Sequence, residues 1–395
     1  MKILLFSDAF PPFQSSASIQ LKDLTESLTK ADHEVHVFTT SQVINEDKSP
    51  INSHSITRIK NLRTKNVNFF FRGIAEMIIP ITTLFSFFLS KKKKEKWDLI
   101  IWYSPTIFFG IPVLIIKKYL GCKSYLILRD IFPQWALDVG ILKKGIIYSF
   151  FKIIERIQYH AADRIGIQSI SNMGYFKNNF PKYLNKIEVL DNWLAPLARE
   201  DCRLDFVNDP FKDRFIFIYA GNIGSAQGLE NVLKFALNLD EELFSFIFIG
   251  SGDQKEKLKD FVKQNNLSNI FFHDQIPHNQ IFSLYRKCDL GIISLDSNHK
   301  THNIPGKMLS YLQAGLPVFG LVNKYNEIID INEKHYIGFV TEEEDPELIA
   351  KDFMENFKNL RSDKDLSKRC IKLFHDRFTP EAASKKITTV KNDSY

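Results

Sequence analysis

Short runs of consecutive apolar residues alternate along this chain with longer segments in which apolar residues recur every three or four positions. The runs predict buried strands, and the helical spacing of Leu21, Leu24 and Leu28 is typical of the segments between them. Because the runs are largely apolar and do not alternate strictly between apolar and polar residues, both faces of each sheet should be covered, which indicates parallel strands. The predicted strands are residues 2–6, 34–39, 98–102, 123–128, 164–168 and 186–190, followed by 215–219, 243–249, 269–272, 289–295 and 317–321.

The alternation weakens after Asp191, Asn192 and Trp193, continues through a polar stretch to Arg214, and then restarts. This pattern predicts an α/β chain made of two doubly wound parallel sheets joined by a linker. Ligands of open parallel sheets bind outside the carboxyl ends of the strands. We therefore expect the functional site in a central cleft between the two halves, with residues 191–193 as the hinge.

The segment from Phe69 to Lys96 has two interpretations. Residues 69–89 approach the length of a membrane span, but Arg72, Glu76 and Pro80 interrupt them, which favours a largely packed helix with one very apolar face. Four consecutive lysines and Lys96 follow. An apolar helix beside a basic run is typical of a protein that lies on an anionic membrane surface. The alternative is a buried helix followed by a solvated charge run.

Composition narrows the class of protein. With 395 residues, of which 44% are apolar, the chain can bury real cores, and its net charge of +6 does not indicate a nucleic-acid-binding protein. The four cysteines form no CxxC pair, so neither a disulfide framework nor a zinc site is expected, and a reducing cytosolic location follows. The apolar run at residues 3–6 is too short for a secretory signal.

Small polar or glycine-rich loops follow several of the predicted strands and open helices. They are residues 7–18, 220–230 and 250–253, and the segment of Asn303, Ile304, Pro305, Gly306 and Lys307. Unpaired N–H groups at a helix start, a glycine and a lysine together form an anion site. Each loop alone could equally be a structural turn. Their combination at one sheet edge favours phosphate binding.

These motifs, in this order, resemble the two-domain glycosyltransferases of the GT-B fold, in the large retaining group called GT4. The motifs that carry the resemblance are Pro11-Pro12, Arg129-Asp130-Ile131-Phe132-Pro133, residues 219–224, Gly250-Ser251-Gly252, the strand at Asp289, Pro305-Gly306-Lys307, residues 314–318 and residues 377–381. Within that group the chain is similar to bacterial transferases of O-antigen and capsule assembly that use UDP-linked amino sugars of the fucosamine type.

The resemblance implies two Rossmann-like domains facing a cleft, an acceptor-binding domain over residues 1–195 and a donor-binding domain over 196–377. Residues 378–395 would form a helix that packs back on the first domain. It also implies a UDP-sugar donor, retention of configuration, and neither a metal nor another cofactor. The donor-binding residues that it implies are Ser15, Ser16, Gly221, Asn222, Gly224, Gln227, Gly252, Ile276, His302, Asn303, Ile304, Pro305, Gly306, Lys307 and Ser310.

The chain departs from its relatives at the donor site. Asn222 and Gln227 stand where many relatives have an arginine and a lysine, and His302 and Ser310 stand where many have two glutamates. We expect Lys307 to supply the replacement charge, because it precedes Ser310 by three residues on one helix face. The alternative is that Lys307 is a solvated surface lysine.

On the acceptor side, Asp130 is the candidate catalytic residue and Arg129 its partner. An aspartate at this position could orient or deprotonate the acceptor hydroxyl while Arg129 keeps it ionised. Equally, the pair could form a structural bridge. The implied acceptor is an undecaprenyl-diphosphate-linked saccharide at the inner face of a bacterial cytoplasmic membrane. A sugar-nucleotide epimerase and a catalytically silent assembly partner remain alternatives.

Overall fold

The computed structural model describes residues 1–13, 15–40, 55–64, 68–138, 140–196, 200, 213–296 and 304–392. It divides into two compact units. The first consists of Met1–Asp191 and Pro380–Tyr395, and the second of Asn192–Thr379. Each unit holds one parallel sheet with helices between the strands, so the prediction of two doubly wound parallel sheets is confirmed.

The sheet of the first unit has the strand order β3-β2-β1-β4-β5-β6-β7. The chain therefore runs outward in one direction from β1 and in the other from β4, and the carboxyl ends of these neighbours form a topological switch point. The elements are β1 (Lys2–Ser7), α1 (Ser16–Lys30), β2 (Glu34–Thr40), β3 (Ser55–Ile59), α2 (Phe69–Leu89), β4 (Leu99–Ser104), α3 (Gly110–Leu120), β5 (Lys123–Leu128), α4 (Gln134–Asp138), α5 (Ile146–Ala161), β6 (Arg164–Ile167), α6 (Met173–Asn179) and β7 (Ile187–Val189).

The last helix of the chain, α14 (Pro380–Thr388), belongs to the first unit and packs against α1. The hydroxyl oxygens of Ser27 and Ser384 lie 3.0 Å apart in this contact, where both residues are buried. Ala383 and Ile387 of α14 are buried as well. The helix is therefore a packed part of the first unit.

The second unit repeats the architecture with the strand order β10-β9-β8-β11-β12-β13, and its switch point lies between β8 and β11. The elements are β8 (Phe215–Ala220), α7 (Leu229–Ala236), β9 (Phe244–Ile249), α8 (Lys255–Gln264), β10 (Ile270–His273), α9 (His278–Tyr285), β11 (Leu290–Ser294), α10 (Gly306–Ala314), β12 (Val318–Leu321), α11 (Glu327–His335), β13 (Gly338–Thr341), α12 (Pro346–Ser362) and α13 (Leu366–Arg377).

Two strands, β3 and β13, were not predicted. Both lie at an edge of their sheet. Ser55–Ile59 alternates polar and apolar residues and is mostly half-buried, while Gly338–Thr341 has only four residues and begins with a glycine. Neither segment has the continuous apolar run that marks a central parallel strand, so the pattern did not reveal them.

Helix α2 packs against the first unit along only one face. Ala75, Ile79 and Phe87 are buried on that face, whereas Ile81 and Phe85 point outward and are exposed. By length and composition alone Phe71–Leu89 could cross a membrane, and 28% of its most apolar window is buried. The predicted packing therefore holds along one face, while the outward face of α2 is as apolar as the inward one.

Candidate functional site

The loops that follow β8 and β9 are joined to each other at the carboxyl edge of the second sheet. The N–H of Gly221 donates to the carbonyl of Ile249 at 2.9 Å, and the N–H of Ile223 donates to that of Ser251 at 2.8 Å. The N–H of Gln254 returns a bond to the carbonyl of Ile223 at 3.1 Å. These bonds continue the strand pairing beyond the sheet and fix the backbone of both loops.

Close contact between these two loops requires glycine. A β-carbon on Gly250 would lie 1.9 Å from the carbonyl oxygen of Gly221, and one on Gly252 would lie 2.1 Å from that of Ile223. Gly250 also has a φ of +147°, a conformation that L side chains rarely adopt. The predicted donor residues Gly221 and Gly252 therefore have a clear structural role in joining the loops.

The side chains of Asn222 and Gln227 are engaged with each other. The Nδ2 of Asn222 donates to the Oε1 of Gln227 at 3.2 Å, and the same oxygen accepts the N–H of Gly224 at 3.1 Å. Gln227 thus holds the turn after β8 in place. A lysine at its position could not accept these two bonds, so the departure from the relatives changes how this loop is built.

Lys307, on the first turn of α10, reaches across to the loop after β8. Its Nζ lies 4.7 Å from the centroid of the Tyr219 ring, and a β-carbon on Gly221 would lie 2.6 Å from its Cε. Burial lowers the pKa of Lys307. Within the described part of the chain no carboxylate forms an ion pair with it. The amine is therefore held over an aromatic face at the sheet edge.

Contacts on the inner side of α10 hold the start of this helix in place. Ile304 is buried, Pro305 is the N-cap, and the hydroxyl of Tyr311 donates to the carbonyl of Ile292 at 3.1 Å, which ties the helix to β11. Gly306 is exposed, and a β-carbon there would meet no atom within 4 Å. The helix start is thus open on its outer side, and Gly306 leaves its backbone accessible there.

Ser310 lies one turn further along α10, where its hydroxyl donates to the carbonyl of Gly306 at 3.5 Å. The helix ends at Gly315, which has a φ of +74°, as the sequence predicted. His302 and Asn303 lie outside the described residues. The structure thus brings Lys307 and the glycine loops together. The predicted contacts of His302 and Asn303 stay predictions.

The remaining predicted donor residues lie on other loops. Ser15 caps α1, and its Oγ accepts the N–H of Ser18 at 3.1 Å. Ser16 follows it and is exposed at the first helical position. Ile276 is half-buried in the loop after β10, where it packs against the core of the second unit. Each lies at the carboxyl end of a strand, where ligands of parallel sheets bind.

In the first unit, Arg129 is buried directly after β5. Its guanidinium donates to the carbonyl of Leu190 at 2.7 Å and to that of Asp191 at 3.3 Å, and it also hydrogen bonds with the hydroxyl of Tyr103. Asp130, by contrast, is exposed at the sheet edge. Arg129 therefore ties the β5 loop to the end of β7, and Asp130 is the member of the pair that solvent can reach.

Two residues near this pair were missed by the sequence reasoning. Burial raises the pKa of Tyr103 to about 12, and the charges of Asp130 and Asp8 raise it further while Arg129 lowers it. Asp8 is fully buried after β1. Tyr103 is the penultimate residue of β4, and Asp8 and Asp130 follow β1 and β5, so the three residues lie at the carboxyl ends of neighbouring strands. Only the strand order, which the sequence pattern does not give, brings them together.

Within the described residues no group of three or more His, Cys, Asp or Glu side chains is arranged to hold a metal ion. Lys307 lies beside Gly221 in the loop after β8, and the first N–H groups of α10 have no partner within the helix. Such a set of donors and one amine can bind an anion, because each group presents a proton or a positive charge. The arrangement suits a phosphate group at the edge of the second sheet.

Comparison with known proteins agrees with this chemistry. Residues 203–373 match the family described as Glycosyl transferases group 1. The probable glycosyltransferase WbjE of Pseudomonas aeruginosa is 25% identical over 289 residues, which cover 71% of this chain and 70% of WbjE. The putative colanic acid biosynthesis glycosyl transferase WcaI of Escherichia coli (strain K12) is 26% identical over 254 residues, which cover 62% of either chain.

The structure of HepE from Anabaena in complex with UDP covers 99% of this chain and 100% of its own, with a TM-score of 0.67 and 12% sequence identity. At that identity the likeness concerns the fold. Residues 203–373 of this chain are thus similar to the glycosyltransferase group 1 family, and the chain has the GT-B fold that the resemblance implied.

Proposed function

We propose that this chain is a retaining glycosyltransferase that moves a sugar from UDP to a lipid-linked or growing surface-polysaccharide acceptor without a metal. A similar fold has been solved with UDP, and the relative WcaI is named for colanic acid biosynthesis. The resemblance to fucosamine transferases supports an N-acetylated deoxyamino sugar as the transferred group. The family match supports the transferase class.

The observation that carries this proposal is the position of Lys307. Its amine is half-buried over Tyr219, next to two loops whose glycines leave the backbone open, and it pairs with no carboxylate within the described residues. Burial without a partner lowers the pKa of an amine, and an incoming anion reverses that effect. A bound diphosphate would supply the negative charge that the Lys307 amine lacks.

In the proposed reaction, the bond between the anomeric carbon and the diphosphate breaks, and a bond forms from that carbon to the acceptor oxygen on the same face of the sugar. The charge that develops on the departing diphosphate is met by Lys307 and by the first N–H groups of α10, which have no partner within the helix. The acceptor proton passes to Asp130 or to a phosphate oxygen of the donor.

We further propose that the enzyme works on the inner face of the bacterial cytoplasmic membrane, through residues 69–96. The outward face of α2 is exposed and apolar, and Lys91, Lys94 and Lys96 beside it are exposed as well. Lys92 is less available, because it forms an ion pair with Glu95 at 3.0 Å. Apolar area and basic charge together favour an anionic leaflet.

The proposal is tested by incubating the chain with UDP-sugars and measuring UDP release with and without an undecaprenyl-diphosphate-linked saccharide. Transfer predicts release that depends on the acceptor. Release of a new UDP-sugar epimer without acceptor would identify an epimerase instead. Absence of any UDP affinity would indicate a silent assembly partner and contradict the transferase proposal.

Replacing Lys307 by alanine should weaken UDP binding about 10- to 100-fold, since a charge-assisted contact to the diphosphate is lost. Isothermal titration with UDP measures this effect. The control is Lys263→Ala, an exposed lysine at the far end of α8, which should bind UDP as the parent does. Unchanged affinity in Lys307→Ala would remove the role assigned to this residue.

A further inference from the structure

The first half of α5 turns apolar side chains outward. Ile146 is 91% exposed and Ile147 is 65% exposed, and Phe150 and Ile153 on the following turns are exposed too. Ile141, in the turn before the helix, continues this stripe. Single exposed apolar residues are common on proteins, but a contiguous apolar stripe along a helix usually marks a contact with a partner.

The charges around this stripe are positive. Lys143 and Lys144 precede the helix and are both exposed. Between residues 140 and 152 the sequence contains no aspartate or glutamate. Apolar side chains flanked by lysines suit the boundary between the headgroups and the acyl chains of an anionic bilayer, because the former enter the acyl region and the latter meet phosphate.

The inner side of the same helix packs on the candidate acceptor loop. The ring of Phe151 lies 4.9 Å from that of Phe132, two residues after Asp130. The hydroxyl of Tyr148 donates to the Oε1 of Gln134 at 3.1 Å, which joins α5 to α4. The outer face of α5 is therefore coupled to the loop of Asp130 through the helix itself and the side chains on its inner face.

We propose that the exposed side chains of residues 141–153, here called the α5 surface, dock on an anionic lipid bilayer and hold the Asp130 loop at the headgroups. The α5 surface is separate from the outward face of α2, because α3 packs against both helices and lies between them. The inference rests on the proposed function for the identity of the acceptor only. A lipid-linked saccharide would then present its sugar at the depth of Asp130.

A second copy of this chain is a poorer occupant of the α5 surface. A symmetric contact places the same patch on both partners, so Lys143 and Lys144 would face their own equivalents. A bilayer instead supplies the opposite charge. Measuring the oligomeric state with and without vesicles separates the two occupants.

The chain carries its own reporter for this contact. Of its four tryptophans, Trp97, Trp102 and Trp193 are buried, whereas Trp135 is 40% exposed. The ring of Trp135 lies 6.2 Å from that of Phe132, beside the α5 surface. Entry of Trp135 into the interfacial region should shift tryptophan emission to shorter wavelength, and Trp135→Phe should remove the shift.

The experiment uses the full chain with vesicles of phosphatidylcholine alone or mixed with phosphatidylglycerol. We expect Ile146→Ser combined with Ile147→Ser to weaken vesicle binding about tenfold or more and to abolish the emission shift. Lys143→Gln combined with Lys144→Gln should remove most of the preference for phosphatidylglycerol. The matched control is Leu348→Ser with Met354→Ser, two similarly exposed residues on α12, which should bind vesicles as the parent does.

Vesicle binding and an emission shift that persist in the isoleucine variant would overturn the inference, as would failure of the parent to bind. The same holds if Ile81→Ser with Phe85→Ser on α2 abolishes binding while the isoleucine variant binds normally. A dimer that the isoleucine variant dissociates, without vesicle binding, would assign the surface to a second copy. A chain that docks through α5 but transfers no sugar would instead contradict the proposed function alone.

Discussion

The carboxyl edges of the two sheets differ in the chemical groups that they present to a ligand. In the first unit, side chains supply the chemistry, since Arg129 is buried against Tyr103 and two carbonyls while Asp130 is exposed beside them. In the second unit, the glycine loops supply bare backbone and one amine, that of Lys307. A diphosphate can be held by amides and one cation, whereas orienting a hydroxyl requires a positioned side chain. Each edge thus matches the substrate group proposed for it.

The largest expected effect comes from adding a β-carbon at the carboxyl edge of the second sheet, where the glycine loops meet. Gly250→Ala places a β-carbon 1.9 Å from the carbonyl oxygen of Gly221 at a φ of +147°. We expect a loss of about 3–4 kcal/mol in the free energy of unfolding, together with loss of UDP binding. Thermal unfolding and titration with UDP measure both.

Gly306→Ala is the matched control on the same edge, because a β-carbon there meets no atom within 4 Å. It should keep or slightly raise stability, by about 0.5 kcal/mol, since alanine restricts the unfolded chain. Equal melting temperatures for the two variants would show that the loops are not closely packed, and the comparison between backbone and side-chain edges would fail.

The carboxyl edge of the first sheet is tested by replacing Arg129 and Asp130 one at a time. Arg129→Met removes the donor to the carbonyls of Leu190 and Asp191 and should lower the free energy of unfolding by about 3 kcal/mol. Asp130→Asn changes an exposed group and should leave stability within about 0.5 kcal/mol while transfer is lost. Urea unfolding and acceptor-dependent UDP release provide the readouts. A destabilised Asp130→Asn with normal turnover would reverse the two roles.

A buried histidine in the first unit also makes the stability of the protein depend on pH. Burial, assisted by the charge of Lys92, lowers the pKa of His36 from 6.5 to about 4. Its ring nitrogens lie 2.6 Å from the Ser55 hydroxyl and 2.8 Å from the Thr57 hydroxyl, which join β2 to β3. The unfolded chain therefore binds a proton on His36 before the folded protein does.

Stability from His36 is complete above pH 6.5, falls as the pH drops towards 4, and is lost below that value. The expected loss is about 2–3 kcal/mol. Urea unfolding across this range, followed by tryptophan fluorescence, measures it, and His36→Gln should show a flatter dependence. A parent and variant with the same slope would place the titrating group elsewhere.

The smallest expected effect concerns Tyr219, whose ring lies under the amine of Lys307 at 4.7 Å. Tyr219→Leu should weaken UDP binding about fivefold, since it removes a cation–π contact worth about 1 kcal/mol. Tyr219→Phe keeps the ring and should bind UDP nearly as the parent does. In a Lys307→Ala background the Tyr219→Leu change should have no further effect, and an additive loss would mean that the ring acts independently of the amine.

The central strands were predictable because a strand that is buried on both faces of its sheet consists largely of consecutive apolar residues. The continuous apolar run at 99–102 lies within β4, one of the strands that the pattern predicted. The edge strand β3 has no such apolar run. In α2, apolar residues occur on both the packed and the outward face, so composition could not distinguish the core side from the exposed side.

The candidate site was only partly readable for a different reason. Glycines and Lys307 stand out because a glycine and a lysine at a helix start are residue types that an anion site uses. The contact of Lys307 with Tyr219 joins residues far apart in sequence, and the charges of Asp8 and Asp130 act on Tyr103 only because of the strand order. The buried role of Arg129 likewise depends on the carbonyls at the end of β7. Such partners are set by tertiary structure and leave no local pattern.

The place of α14 in the first unit has a consequence for biosynthesis. The ribosome makes Met1–Asp191 first, then the whole of Asn192–Thr379, and only afterwards the helix that packs on α1 through Ser27 and Ser384. The first unit therefore waits, with one face of α1 uncovered, while the second is synthesised and folds. A message truncated anywhere before codon 380 would yield a first unit that lacks this cover and is exposed to chaperones and proteases.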